Sequence, residues 1–253
     1  MAWLSLNYHS AKLKMPVELE VLAPQYDSGM VEKSRVVFLL HGAIGDRTSW
    51  LLRSQAALYA AERGLCIVMP SVKNSFYVNT YNSYAYMDFI CEELPDLIVK
   101  LLPVSRERTD WMIAGCSMGG YGALRCGLMR TDLFGFIASF SGAVDMAAVY
   151  DEVTFVDMDM VFGSRERLKD SDNNLYRLLS EKKQEAESER ILMTCGEDDE
   201  LFPYNEAFYR KFCADYRMEF LHKKGGHDWH FWNDSLKAAL SWFCGETDYR
   251  EVF

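Results

Sequence analysis

The residues with chemical potential begin at Gly115-Cys116-Ser117-Met118-Gly119, a G-x-S-x-G pentapeptide. Four apolar residues precede it (Trp111 to Ala114), and apolar residues at helical spacing (Tyr121, Ala123, Leu124, Cys126, Leu128, Met129) follow it. That context predicts strand, sharp turn and helix, with the Ser117 hydroxyl exposed above a sheet and the flanking glycines admitting close backbone approach. The alternative is a glycine-rich turn whose serine only caps a helix. A serine hydroxyl is a poor nucleophile at neutral pH, so it needs a base within hydrogen-bond reach and a group to orient that base.

Five histidines compete for the base. His9 falls on an N-terminal strand, His41 ends an apolar strand where a backbone role is expected, and His222 lies on the last short strand. His227 and His230 remain, in Gly225-Gly226-His227-Asp228-Trp229-His230. His227 is the expected base, because it occupies the loop between the last strand and the last helix, while His230 falls in the first helical turn. Taking His227, Asp228 and His230 as metal ligands matches no familiar zinc spacing. For the acid, Gly196-Glu197-Asp198-Asp199-Glu200 ends the preceding strand. Asp199 is the choice and Asp198 the runner-up, since two or three residues past Gly196 are needed to turn a side chain back toward His227. The order Ser117, Asp199, His227 is the one a nucleophile elbow requires. Two backbone donors complete such a site: the N–H of Met118, and that of Ala43 after the strand ending at Leu40.

These loops need a sheet to hold them. Residues 3–9 and 17–23 alternate apolar and polar and predict antiparallel strands with one solvated face. Val36 to Leu40, Leu65 to Met69, Trp111 to Ala114, Phe136 to Phe140 and Arg190 to Cys195 are short apolar runs expected as buried strands, with Met218 to His222 as a last short one. Helices are expected from about Ser49 to Arg63, from Tyr84 to Leu102 with a kink or division at Pro95, from Pro203 to Tyr216 and from Trp229 to Cys244. Between residues 24 and 34 the composition is that of a turn, and the 71–83 loop is long enough to be functional. Residues 143–189 read as an excursion over the sheet, with helix-prone pieces at Asp157 to Phe162 and Asn174 to Lys183; Glu181 to Arg190 reads as a solvated helical face. The alternation from residue 36 onward predicts an α/β protein with a mostly parallel central sheet, antiparallel N-terminal edge strands and helices on both faces.

The 253 residues suit one α/β domain spanning 1–253, with the 143–189 excursion as a small cap. A formal net charge of -10 argues against a sequence-independent nucleic-acid binder. No stretch approaches the ~20 apolar residues of a membrane-spanning helix, so no membrane insertion is expected. No secretory signal is visible at the N-terminus, and the expected location is the cytoplasm. Seven cysteines without a C-x-x-C pair read as reduced, mostly buried small hydrophobes.

The assembled motifs resemble the esterase D branch of the α/β-hydrolase superfamily, which includes tributyrin-type esterases, S-formylglutathione hydrolases and feruloyl and acetyl esterases. The resemblance rests on Leu39-Leu40-His41-Gly42, Trp50, Asn74-Ser75-Phe76-Tyr77, Glu93-Leu94, the run Gly115 to Leu124, Gly196 with Asp199-Glu200-Leu201, and Gly226-His227-Asp228-Trp229 with Trp232. It implies an α/β-hydrolase fold and a Ser/Asp/His carboxylesterase with Asp199 at the acid position. The tributyrin-type esterases are the nearer likeness, because S-formylglutathione hydrolases usually carry a Gly-Leu-Thr-Cys type sequence in place of His41-Gly42-Ala43-Ile44.

The expected function is hydrolysis of short-chain acyl esters through an acyl-enzyme on Ser117, with a small-molecule ester as partner and no cofactor or metal. Homo-oligomerisation is left open by the sequence. The 71–83 loop and the excursion are expected to shape the substrate pocket, with Phe76, Tyr77 and Met160 as lining residues. Alternatives within the chemistry are S-formylglutathione hydrolysis and the release of feruloyl or acetyl groups from sugars. From another class, a non-catalytic hydrolase-fold binding protein is disfavoured by the intact Ser117, His227 and adjacent Asp.

Overall fold

In the computed structural model, which describes residues 1–25, 33–81, 84–182 and 190–253, the short apolar runs pair into an eight-stranded sheet. The strands are β1 (Ala2–Ser10), β2 (Met15–Ala23), β3 (Val36–Leu40), β4 (Cys66–Pro70), β5 (Trp111–Cys116), β6 (Phe136–Phe140), β7 (Arg190–Gly196) and β8 (Arg217–Lys223). Their order is β1-β2-β4-β3-β5-β6-β7-β8. β2 runs antiparallel to both β1 and β4, and every pairing from β4 to β8 is parallel. The alternating residues of β1 leave Trp3, Ser5, Asn7 and His9 exposed, whereas β3 to β6 are buried on both faces. Strands between two helical layers have no solvated face to supply with polar side chains, which is why these runs are uniformly apolar.

Pleating divides the side chains of the central strands between two cores. Val36, Phe38 and Leu40 join one core and Val37 and Leu39 the other. The second core is covered by α1 (Ser49–Arg53), α2 (Ala56–Arg63) and α10 (Trp229–Cys244). The first is covered by α3 (Tyr86–Asp88), α4 (Leu94–Leu101), α5 (Met118–Met129), the excursion helices α6 (Met158–Phe162), α7 (Arg165–Lys169) and α8 (Leu175–Glu181), and α9 (Phe202–Phe212). Because β4 and β5 lie on opposite sides of β3, the chain reverses its direction of travel there. The crevice outside the carboxyl ends at such a switch point is where open α/β sheets bind ligands.

Two helices depart from expectation, and a third segment divides where expected. The segment expected as one helix over 49–63 is two: Ser54 turns extended, its hydroxyl bonds the Trp50 carbonyl at 2.5 Å, and the Gln55 N–H goes to Asn233 Oδ1 at 2.8 Å. A serine side chain competing for backbone partners ends a helix this way. The segment over 84–102 is divided as expected, just before Pro95, with a π turn over Phe89–Glu93 between α3 and α4. Proline has no N–H for the Cys91 carbonyl, and Arg130 Nη1 donates to it instead. The helix expected to reach Tyr216 ends at Phe212. The excursion does carry helices near both expected pieces, while most of the charged Glu181 to Arg190 stretch, most of the 24–34 turn and the end of the 71–83 loop fall outside the described residues.

At the elbow the backbones approach too closely for a β-carbon. A β-carbon on Gly119 would lie 2.5 Å from the Leu40 carbonyl oxygen and 2.7 Å from that of His41, and one on Gly115 would lie 2.6 Å from the Gly119 carbonyl oxygen. Both obstacles are backbone atoms of the central sheet and of α5, which cannot swing aside. Gly119→Ala is therefore expected to destabilise by about 2 kcal/mol and lower Tm by roughly 4–8 °C in a thermal unfolding scan.

Candidate active site

Parallel strands deliver all their following loops to one edge of the sheet, so residues after β3, β5, β7 and β8 can meet there. Ser117 follows β5 directly and occupies φ 55°, ψ -117°, a strained position for a side-chain-bearing residue. Its N–H donates to the Phe140 carbonyl at 2.8 Å, and its own carbonyl accepts from Tyr121 and Ala143, which fixes the elbow from both neighbouring segments. The Ser117 hydroxyl lies 3.0 Å from His227 Nε2, and His227 Nδ1 lies 2.9 Å from Asp199 Oδ2. The three side chains thus form one hydrogen-bonded line.

Asp199 reaches the imidazole because its loop is stitched to the histidine loop. The Glu197 N–H bonds the Lys223 carbonyl and the Asp198 N–H the Gly225 carbonyl, each at 2.9 Å. Glu197, Asp198 and Glu200 point to solvent, whereas Asp199 is only 4% exposed. Asp199 Oδ1 accepts from the Leu201 N–H at 2.8 Å. Burial alone would raise this carboxyl, but the hydrogen bonds from His227 and Leu201 and the nearby Ser141 hydroxyl outweigh it and hold the group below the usual carboxylate range. An ionised acid here fixes the imidazole tautomer and favours the imidazolium. Trp232 stands edge to face against the His227 ring at 4.9 Å, in a chain of rings continuing through Trp229 and Trp50 to Phe140.

The Met118 N–H opens α5, where the helix dipole favours negative charge. Neither this N–H nor that of Ala43 donates to a protein acceptor among the described residues. Gly42 brings the Ala43 segment against Ser117: a β-carbon there would sit 3.5 Å from Ser117 Cβ.

The other candidates fall elsewhere. His9 is exposed at the sheet edge, and His222 Nδ1 contacts Glu197 Oε1 at 2.8 Å on the surface. His230 is exposed, and its N–H with that of Phe231 is capped by Asp228 Oδ1. His227, Asp228 and His230 are thus engaged separately, and among the described residues no three His, Cys, Asp or Glu gather as metal ligands would. Phe76 and Tyr77 need correction as pocket-lining residues. Phe76 packs among Tyr121 and Phe162, and Tyr77 is fully buried against Gly122, with its hydroxyl donating to the His41 carbonyl at 2.9 Å. Rings of this size gain more from the core under the loop than from a wet cleft. Met160 is exposed on α6.

Sequence reasoning missed two supporting groups. Buried Ser141, at φ 46°, ends β6 beside Asp199, and Asn205 donates to the Gly142 carbonyl at 2.9 Å. The Ser141-Gly142 end of an apolar run was the available signal. His41, given a backbone role, ties two loops through its ring: Nδ1 donates to the Gly42 carbonyl (2.7 Å) and Nε2 accepts from the Val72 N–H (3.2 Å).

A sequence model described as a putative esterase matches residues 10–243. An acetyl esterase of Caldicellulosiruptor saccharolyticus is 29% identical over 98% of this chain and 100% of that protein. Two solved Staphylococcus aureus proteins are also 29% identical, each matched over 96% of this chain and 98% of theirs. They are the fluorophosphonate-binding serine hydrolase FphF (TM-score 0.90) and the S-formylglutathione hydrolase FrmB (TM-score 0.89).

Burial pushes the His41 imidazole below its ordinary value near 6.5. Between the folded and unfolded values the unfolded chain binds more protons, so this contribution to stability is complete above about pH 6.5 and fades as pH falls below it. The Tm advantage of the wild type over His41→Gln is expected to be largest at pH 7.5–8 and to shrink toward pH 5.5; a constant gap across that range contradicts the assignment.

Proposed function

We propose, from the premise that this chain belongs to the putative-esterase family and has the α/β-hydrolase fold, that Ser117, His227 and Asp199 are its catalytic triad and short-chain acyl esters its substrates. The chain is a carboxylic ester hydrolase of the serine hydrolase class. The observation that carries the residue assignment is the line Ser117 Oγ, His227 Nε2, His227 Nδ1, Asp199 Oδ2, with both separations at hydrogen-bond length.

In the proposed reaction His227 takes the Ser117 proton as Oγ attacks the ester carbonyl, and the Met118 and Ala43 N–H groups receive the oxyanion. Imidazolium, stabilised by Asp199, then protonates the leaving alcohol. Water enters, gives its proton to His227 and releases the acid, restoring Ser117. Each step uses groups of this chain alone. Reducing cytosol is the proposed location, supported by seven free cysteines, five of them buried; among the described residues no helix is long and apolar enough to cross a membrane.

A second reading, thioester hydrolysis of S-formylglutathione, is favoured by the likeness to FrmB over nearly the whole chain. Measuring kcat/KM on S-formylglutathione beside p-nitrophenyl acetate and butyrate separates the two, with the esters expected to be preferred. On p-nitrophenyl butyrate, Ser117→Ala and His227→Ala should each lose at least ~10³-fold in kcat. Asp199→Asn should lose a similar order, whereas Asp198→Asn should stay near wild type, its backbone N–H and not its carboxylate being in use. Near-normal turnover by Ser117→Ala would sink the assignment.

A further inference from the structure

Ile44 combines two features that a folded chain does not gain from. It adopts φ 55°, a left-handed conformation that β-branched residues enter only under constraint. Its side chain is 83% exposed, more than any other large apolar side chain among the described residues. Glycine or asparagine would accept this backbone with less strain, and any polar residue would suit the exposure better. What isoleucine supplies at this position is hydrocarbon surface.

The conformation is enforced from outside the turn. The Ile44 N–H donates to Asn74 Oδ1 at 2.7 Å, so a carboxamide from the segment after β4 clamps the turn after β3, which the Gly45 N–H closes onto the Gly42 carbonyl at 3.2 Å. Gly42 packs against Ser117, and Ile44 follows two residues on, within ~7 Å along the chain. Its immediate predecessor is Ala43, whose N–H is the proposed oxyanion donor.

We infer that Ile44 is a specificity-determining residue that packs against the hydrocarbon portion of the ester, and that Asn74 is the positioning residue holding it and Ala43 in place. The inference rests on ester hydrolysis at Ser117. Bound hydrocarbon would cover the Ile44 surface that the protein itself leaves in water, and removal of that area from water favours longer substrates. Asn74 acts through the backbone and touches no reacting atom.

The test is a chain-length series, p-nitrophenyl acetate to hexanoate, with a second series of aliphatic butyrate esters in which the alcohol grows instead. Ile44→Gly keeps the left-handed backbone accessible, so its Tm should equal or exceed that of the wild type and loss of fold does not obscure the result. In that variant the hexanoate-to-acetate ratio of kcat/KM, or the corresponding ratio in the alcohol series, is expected to fall about tenfold, chiefly through KM. Asn74→Ala is expected to lose kcat at every chain length, and Asn74→Asp, which keeps an acceptor oxygen for the Ile44 N–H, to recover most of it. Length ratios in Ile44→Gly equal to those of the wild type in both series overturn the inference about Ile44, and no recovery in Asn74→Asp overturns that about Asn74. Both results leave the esterase reading standing if Ser117→Ala is inactive on the same substrates; an active Ser117→Ala would remove the reading and the inference together.

Discussion

The approach of α5 to β3 is the constraint on which the site depends. A β-carbon at Gly119 would force the backbones apart, because the Leu40 and His41 carbonyls are already at contact. That closeness bends the chain at Ser117 and lifts its hydroxyl above the sheet. It also explains where strain collects. Of the seven non-glycine residues with positive φ among the described residues, six (Ile44, Lys73, Phe76, Tyr77, Ser117 and Ser141) follow the carboxyl ends of β3, β4, β5 and β6. Each such residue stores on the order of 1–3 kcal/mol, which the two cores flanking the sheet must offset.

A second dependence runs between Asp199 and His227. Their side chains meet because the backbones of the β7 and β8 loops are hydrogen-bonded to each other before any side chain is considered. Gly196 passes Gly225 closely enough that a β-carbon would lie 2.1 Å from the Gly225 carbonyl oxygen. The same stitching consumes the Asp198 N–H and turns Asp199 inward. Rings from Trp50, Trp229 and Trp232 then back the imidazole, so α1 and α10, on the face of the sheet opposite α5, support the histidine.

Much of this was legible in the chain because buried parallel strands and elbows have local signatures. The run Trp111 to Leu124 carries its strand, turn and helix within fourteen residues. β6 and α10 begin and end where apolar runs do, at Phe136–Phe140 and Trp229–Cys244. What escaped depends on distant partners. The break at Ser54 uses Asn233, the carbonyl that Pro95 leaves without a donor uses Arg130, and the burial of Tyr77 follows from the space beside Gly122. Aromatic residues in a long loop look alike whether they face a cleft or a core, and only the packed structure separates Phe76 and Tyr77 from a substrate wall. Asp199 and Asp198 differ in sequence by one position and in structure by which of them the backbone stitching turns inward.

In the proposed mechanism, elbow geometry and the imidazole together activate one serine. Labelling with a fluorophosphonate followed by peptide mapping tests it most directly, since phosphonylation requires an activated hydroxyl and reports its location. A single adduct is expected on the peptide containing Ser117, lost in His227→Ala while that variant retains the wild-type Tm. An adduct on another residue, or undiminished labelling without His227, would contradict it.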